Sequence, residues 1–146
     1  MDDRIEALAG MSIAAIFRTE GEAGFRMRES AAIAELCADT DCVIATGGGA
    51  VLHSSNRELL KTSGFVTWLT ASPATLWMRM STDPTTATRR PNLTAAGGEE
   101  EVRSLLAIRE PLYREVADSI IAGDTLSPEG VVDAILTAWN GGSTSR

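Results

Sequence analysis

Lysine, histidine and cysteine are nearly missing from this sequence. Lys61 is its only lysine, His53 its only histidine, and Cys37 and Cys42 its only cysteines. Two cysteines cannot supply the disulfide framework of a small secreted domain, and with a single histidine they cannot complete a four-ligand Cys/His zinc site. We therefore expect both cysteines to be small buried apolar residues in a reducing compartment.

Long apolar runs and an excess of positive charge are also missing. No stretch approaches the roughly 20 apolar residues that a membrane-spanning helix needs, and the acidic start at residues 1–4 lacks the basic end of a secretion signal. The 20 acidic and 13 basic residues give a formal net charge of -7, which disfavours binding to nucleic acid or an anionic membrane through bulk electrostatics. We expect a cytoplasmic protein that binds neither nucleic acid nor membranes.

The alternation of short apolar runs with helical patterns predicts one α/β domain. The chain has 146 residues, 44% of them hydrophobic, which is enough for a single core. Strands are predicted at 42–46, 65–70 and 119–122, and helices at 13–19, 22–38, 56–62, 73–80, 99–117 and 128–139. Such an order favours parallel crossovers and therefore a three-layer parallel sheet flanked by helices. Residues 83–98 are predicted to form a long mobile loop, and residues 141–146 a disordered tail.

One predicted helix places a carboxylate on its apolar face. At 100° per residue, Glu29 lies near the middle of this face and Arg26 at its edge, and the apolar members are Phe25, Ala32, Ile33 and Leu36. A buried unpaired charge would cost several kcal/mol, so we expect Arg26 to pair with Glu29. The sequence leaves open whether the pair is purely structural or belongs to a ligand site.

Three glycines and several arginines carry the ligand-binding signal. Gly47-Gly48-Gly49 follows the predicted strand at 42–46, and the carboxyl ends of parallel strands are where ligands bind. Glycines let backbone N–H groups approach a substrate closely. Arg89-Arg90 in the long loop and Arg109 on a helix add cations suited to phosphate or carboxylate. An ordinary turn and a solvated loop are the alternatives.

Many separate segments, in order, resemble the shikimate kinases. The resemblance spans the chain from its first residues to about Trp139. It rests on residues 2–6, 10–13, 16–17, 21–22, Phe25-Arg26 with Glu29, 44–51, 56–57, 89–93, Arg109 with 111–113, and 116–118. The family implies a P-loop kinase fold of the nucleoside monophosphate kinase type. It also implies ATP- and Mg²⁺-dependent transfer of a phosphoryl group to the 3-hydroxyl of shikimate, in chorismate and aromatic amino acid biosynthesis.

The resemblance also implies roles for substrate-binding residues. Asp2 would contact the shikimate hydroxyls and orient or deprotonate the nucleophile. Arg26 and Arg109 would clamp the shikimate carboxylate, with Glu29 fixing both arginines. Gly48 and Gly49 would bind the substrate through their backbone N–H groups.

On the nucleotide side, the resemblance implies that Arg90 reaches the phosphates as a catalytic arginine from a lid at about 83–98, and that Arg79 lies near adenine. The sequence departs from the family at Asn92, where leucine is usual. It also has no arginine between Gly123 and Pro128, where members often place a second adenine contact.

The family's phosphate-binding motif, G-x-x-x-x-G-K-S/T, does not occur in the sequence, because Lys61 follows Glu58-Leu59-Leu60. Aligning Ile5-Glu6 with the family motif Asp-x-Asp-x-x-Ile-Glu places its second aspartate at Asp2. The first aspartate, an implied Mg²⁺ ligand, would then precede Met1, so the sequence itself supplies no metal ligand.

We therefore expect a partial shikimate kinase domain over 1–140, without the N-terminal βαβ unit that contains the central strand. The strands at 43 and 66 would lose the neighbour between them, and the chain alone would be inactive. The full-length protein is expected to be a monomer. The alternatives are a non-catalytic shikimate-binding module and a related P-loop kinase for another small molecule.

Overall fold

Helices account for most of the fold, and the second half of the chain contributes a two-stranded parallel sheet. A computed structural model describes residues 1–82 and 98–142. Its elements are α1 (Asp2–Ala9), α2 (Ile13–Leu36), a 3₁₀ turn (Ala50–Leu52), α3 (Ser54–Ser63), β1 (Thr67–Thr70), α4 (Pro73–Thr82), α5 (Gly98–Val116), β2 (Ser119–Ala122) and α6 (Pro128–Gly142). The predicted lid at about 83–98 lies, apart from Gly98, outside the described residues.

Two helices, α2 and α4, begin directly after a serine that caps the first turn. Ser12 precedes α2, and its Oγ accepts a hydrogen bond of 3.2 Å from Ala15 N. Ser72 precedes α4 and likewise accepts one of 3.2 Å from Thr75 N. Each hydroxyl satisfies an N–H group that the first helical turn leaves without a partner.

Helix α2 is interrupted at Gly21, whose φ is 69° and ψ is -172°. A positive φ favours glycine because a Cβ would clash with the backbone. The two helices predicted at 13–19 and 22–38 are therefore two arms of one kinked element.

The first helix was not predicted, yet it contributes to the core. Ile5 of α1 is fully buried, and it packs with apolar side chains of α2: Ile13, Ile16, Phe25 and Ala32. The rings of Phe17 and Phe25 stack at a centroid distance of 4.8 Å. This cluster fixes the arm of α2 that carries Arg26 and Glu29.

The sheet confirms the predicted α/β class. Strands β1 and β2 pair in parallel, with Trp68 opposite Ile120 and Leu69 opposite Ile121. Just before the sheet, Asp118 N donates to Val66 O at 2.8 Å, while Asp118 Oδ2 accepts from Val66 N, also at 2.8 Å. Parallel pairing requires a crossover, which here contains α4 and α5.

The strand predicted at 42–46 does not form. Residues 42–46 take part in no strand pairing among the described residues, and no strand lies between them and β1. Val43 is 100% exposed and Cys42 is exposed, so the prediction that this run and Cys42 are buried was wrong. The apolar pattern is that of a strand buried on both faces, but burial depends on neighbouring strands.

The chain end also differs from the prediction. Helix α6 continues to Gly142, so residues 141–142 are helical and not part of a disordered tail. Residues 143–146 lie outside the described part. Within residues 1–82 and 98–142, none of the helices has the length and apolar character needed to cross a bilayer.

Candidate functional site

A tight corner at Gly47-Gly48-Gly49 forms the centre of the candidate site. The 3₁₀ turn that follows it is closed by Ala50 N, which donates to Gly47 O at 3.1 Å, and by Leu52 N, which donates to Gly49 O at 3.0 Å. Asn56 on α3 is buried, and its Nδ2 donates to Ala50 O at 3.1 Å. The corner is thus held by its own backbone and by the first turns of α3.

Arg26 from α2 lies directly against Gly49. A Cβ added at Gly49 would lie 2.6 Å from Arg26 Cζ and 2.7 Å from Nη2, closer than real Cβ contacts come. The absence of a side chain at this position is therefore what admits the guanidinium. Sequence reasoning placed both residues in one site, and the structure brings them together.

Glu29 holds the same guanidinium from one turn further along α2. Arg26 Nη1 donates to Glu29 Oε2 at 2.8 Å, and Glu29 is only 2% exposed. Arg26 Nη2 also donates to Glu22 Oε1 at 3.1 Å. The predicted pairing of the buried carboxylate with Arg26 is confirmed.

The electrostatics of Arg26 follow from this environment. Burial by itself would lower the pKa of Arg26, but hydrogen bonds and charges from Glu29 and Glu22 together outweigh burial, so its pKa is raised. The guanidinium therefore stays charged and is fixed in direction by two carboxylates.

Arg109 and Tyr113 reach the corner from α5. A Cβ added at Gly48 would lie 2.9 Å from Tyr113 Oη and 3.8 Å from Arg109 Nη1. Tyr113 Oη donates to Gly48 O at 2.7 Å. Since Arg109 and Tyr113 are four residues apart on one helix, both face the corner.

Glu29 does not fix Arg109. Within the described ranges Arg109 forms no ion pair or hydrogen bond, whereas the resemblance implies that Glu29 holds both arginines. Arg26 is paired with Glu29 and Glu22, whereas Arg109 has no carboxylate partner among the described residues. A negatively charged group on a ligand would complement the charge of Arg109.

Arg57 is a supporting residue to which sequence reasoning gave no role. Its Nη1 donates to Val51 O at 2.9 Å and to Leu52 O at 3.3 Å, and its Nε lies 3.0 Å from Glu115 Oε2 on α5. It thereby ties the 3₁₀ turn to the helix that carries Arg109. The only signal in the sequence was the Asn56-Arg57 pair within the resemblance.

Asp2 lies in the first turn of α1 and is partly buried. The preceding residue, Met1, donates from its amino group to Ala45 O at 3.3 Å. This contact brings the start of α1 to the segment that leads into the glycine corner. Asp2 therefore directly follows a residue that contacts Ala45, two positions before Gly47.

Arg79 belongs to a second location, at the ends of the two strands. Its Nη2 donates to Gly123 O at 2.6 Å, directly after β2. Beside it, Asp124 Oδ1 accepts from Ser72 N at 3.0 Å, and this backbone hydrogen bond, followed by those from the Thr75 and Ser72 hydroxyls, lowers the pKa of Asp124. The structure does not join Arg79 to the arginines at the glycine corner, and Arg90 lies outside the described residues.

Comparison with known proteins gives a consistent result. A family model described as shikimate kinase matches residues 1–140. The shikimate kinase of Rhodopirellula baltica is 44% identical over 138 residues, covering 94% of this chain and 74% of the relative. That of Pseudomonas fluorescens is 48% identical over 135 residues, covering 92% of this chain and 76% of the relative.

Solved structures agree in fold. The shikimate kinase from Acinetobacter baumannii, in complex with shikimate, has a TM-score of 0.79 and 37% identity, and the match covers 93% of this chain and 76% of that one. The enzyme from Bacteroides thetaiotaomicron gives a TM-score of 0.76 at 26% identity, with 93% and 77% covered. With this sequence identity, this coverage and this fold, the chain belongs to the shikimate kinase family.

Proposed function

We propose that the glycine corner, Arg26 and Arg109 bind the carboxylate of shikimate, the acceptor in the kinase reaction of the family. The observation that carries this proposal is the approach of two guanidinium groups to adjacent glycines, Gly49 and Gly48. A planar carboxylate offers two acceptor oxygens, and guanidinium groups match this geometry with paired N–H donors.

The two arginines contribute differently to binding. Arg26 is neutralised by Glu29, so it acts mainly as a fixed hydrogen-bond donor. Arg109 has no ion pair within the described part of the chain and supplies the net positive charge. A neighbour in the solved structures is in complex with shikimate, which supports the choice of ligand.

Asp2 is proposed to act on the substrate hydroxyls. With the carboxylate held at the corner, a hydroxyl directed toward the start of α1 would meet a carboxylate that accepts its hydrogen bond. Asp2 would orient this hydroxyl and accept its proton as the phosphoryl group arrives. Positioning of this kind supplies much of the catalysis in phosphoryl transfer.

ATP is the proposed co-substrate and supplies the phosphoryl group. Arg79, at the ends of β1 and β2, is proposed to lie near adenine, and Arg90 to reach the phosphates. Mg²⁺ at kinase sites is usually held by one or two carboxylates together with substrate phosphates and water. Among residues 1–82 and 98–142, no group of three or more Asp, Glu, His or Cys side chains could hold a metal ion.

Calorimetric titration of the 146-residue chain with shikimate tests the proposal. We expect binding by the wild type and a loss of about 10-fold or more in affinity for Arg109→Met, because one charge-assisted contact contributes about 1.5–3 kcal/mol. Arg103→Met is the matched control, since Arg103 lies on the same helix and pairs with Glu99 at the surface. Equal affinity of Arg109→Met and the wild type would contradict the proposal.

Three further titrations address the ligand and the alternatives. The methyl ester of shikimate lacks the carboxylate charge and should bind more weakly than shikimate. Titration with gluconate tests whether the chain is instead related to a kinase that acts on another acid. Titration with and without ATP separates shikimate binding from nucleotide-dependent steps, and shikimate binding alone would suit a non-catalytic module. The single domain over 1–140, the monomeric state and the cytoplasmic location stay predictions.

A further inference from the structure

The hydroxyl of Tyr113 is bonded to the glycine corner and not to the space where a substrate would lie. Tyr113 Oη donates to Gly48 O at 2.7 Å, across 65 positions of sequence. The Tyr113 ring stacks on Trp68 of β1 at a centroid distance of 5.4 Å, with an interplanar angle of 27°. The hydroxyl is therefore held in place by the sheet behind it.

This hydrogen bond sets the direction of one N–H group. A trans peptide is planar, and its C=O and N–H point to opposite sides. No peptide in the described residues is cis. Because Gly48 O points to Tyr113, the N–H of Gly49 must point away from Tyr113.

A Gly-Gly peptide needs such an external anchor. Glycine has little intrinsic preference between backbone conformations, so the Gly48-Gly49 peptide can rotate more freely than others. Within the described ranges, neither Gly48 N nor Gly49 N donates a hydrogen bond to the protein. Neither N–H group is thus held by a bond to another described residue, so its direction depends on how the neighbouring carbonyl is held.

We propose that Tyr113 is a positioning residue for substrate binding: it anchors the Gly48 carbonyl so that the Gly49 N–H is presented to the substrate carboxylate. The inference rests on the proposed function of the corner. It assigns Tyr113 no contact with shikimate and no part in the transfer step. Tyr113 acts through the peptide plane alone.

Tyr113→Phe removes the hydroxyl and keeps the ring that stacks on Trp68. Since a neutral hydrogen bond is generally worth about a factor of five in an equilibrium constant, we expect the Kd for shikimate to rise about 5- to 10-fold. Ser63→Ala is the matched control. The Ser63 hydroxyl also donates to a backbone carbonyl at 2.7 Å, but at the end of α3. This control should keep the wild-type Kd.

Nuclear magnetic resonance on the same proteins provides a readout that a purely structural role would not move. In the wild type, shikimate should shift the Gly49 amide proton downfield, and the heteronuclear NOE of Gly49 should show an ordered N–H. In Tyr113→Phe, we expect a lower NOE before ligand is added and a smaller shift after it. Ser63→Ala should match the wild type in both.

The outcomes separate this inference from the proposed function. If the wild type binds shikimate and Tyr113→Phe has the same Kd and the same Gly49 NOE, the positioning role is refuted while the site stands. A lower melting temperature of Tyr113→Phe with unchanged Kd would also refute it. If the wild type fails to shift the Gly49 amide or to bind shikimate, the proposed function fails and the positioning role with it.

Discussion

Replacing Arg26 should lower the unfolding free energy more than replacing its partner Glu29. Glu29 is the more deeply buried, with 3% of its side chain exposed against 14% for Arg26. Arg26 also has a second carboxylate, Glu22, at 3.1 Å. The glutamate therefore depends on the arginine more than the arginine depends on the glutamate.

The magnitudes follow from this asymmetry. Arg26→Met keeps the aliphatic stem and leaves a carboxylate buried without its cation, which costs about 3–5 kcal/mol of unfolding free energy. Glu29→Gln keeps the shape and an oxygen acceptor, and Arg26 retains Glu22, so we expect a cost of about 1 kcal/mol. The gap of about 2–4 kcal/mol corresponds to about 4–16 °C in Tm for a domain of this size.

Urea and thermal unfolding at pH 7, followed by far-UV circular dichroism, measure both costs. Arg28→Met and Glu20→Gln form the control pair, because Arg28 and Glu20 are also bonded at 2.8 Å on α2 but lie near the surface. Their two changes should be small and alike. Equal costs for Arg26→Met and Glu29→Gln, or a larger cost for Glu29→Gln, would refute the argument from burial.

Further predictions concern the corner, the exposed run and the strand ends. Gly49→Ala should weaken shikimate binding about 10-fold or more, because its Cβ would lie 2.6 Å from the guanidinium carbon of Arg26. Gly47→Ala should bind nearly normally, because its Cβ would lie 3.6 Å from the nearest atom. Calorimetry compares the two variants, and equal losses of affinity would contradict the steric reasoning. Val43→Thr should change the unfolding free energy by less than about 0.5 kcal/mol, since Val43 is fully exposed, while the same change at buried Val116 should cost more than about 1 kcal/mol in urea unfolding. The pKa of Asp124 is lowered in the folded chain. Its carboxylate therefore stabilises the fold at pH values above the ordinary aspartate pKa, about 3.9. This contribution is lost as the pH falls through the lowered pKa. Asp124→Asn should therefore lower Tm relative to the wild type at pH 7, and this difference should shrink as the pH falls below the ordinary aspartate pKa; a difference independent of pH would point to another cause.

Local patterns were sufficient for much of the fold and for part of the site. The strands at 67–70 and 119–122 carry β-branched and apolar residues between turn signals, so their type could be predicted. The position of Glu29 on a buried face follows from helical spacing alone. Its pairing with Arg26, three residues away, follows from the same geometry.

The features that sequence reasoning missed depend on distant parts of the chain. Tyr113 and Gly48 are 65 residues apart, and Arg57 and Glu115 are 58 apart, so no window of local sequence brings them together. The run at 42–46 shows the reverse case, in which a strand is predicted from local sequence but does not form. Its composition fits a central strand, but whether Val43 is buried is decided by a neighbour strand and not by the run itself.

The candidate site gains its selectivity from how its two charges are held. An arginine that is neutralised by a buried glutamate attracts an anion weakly, but its donors are fixed in direction because the pair cannot rotate freely. An arginine without a carboxylate partner attracts the anion more strongly, but its side chain can adopt several orientations. Arg26 is of the first kind, and within the described residues Arg109 is of the second. If the corner binds substrate as proposed, these two arginines would favour a ligand that offers a negative charge and a planar pair of oxygens, and so a carboxylate over a neutral polyol.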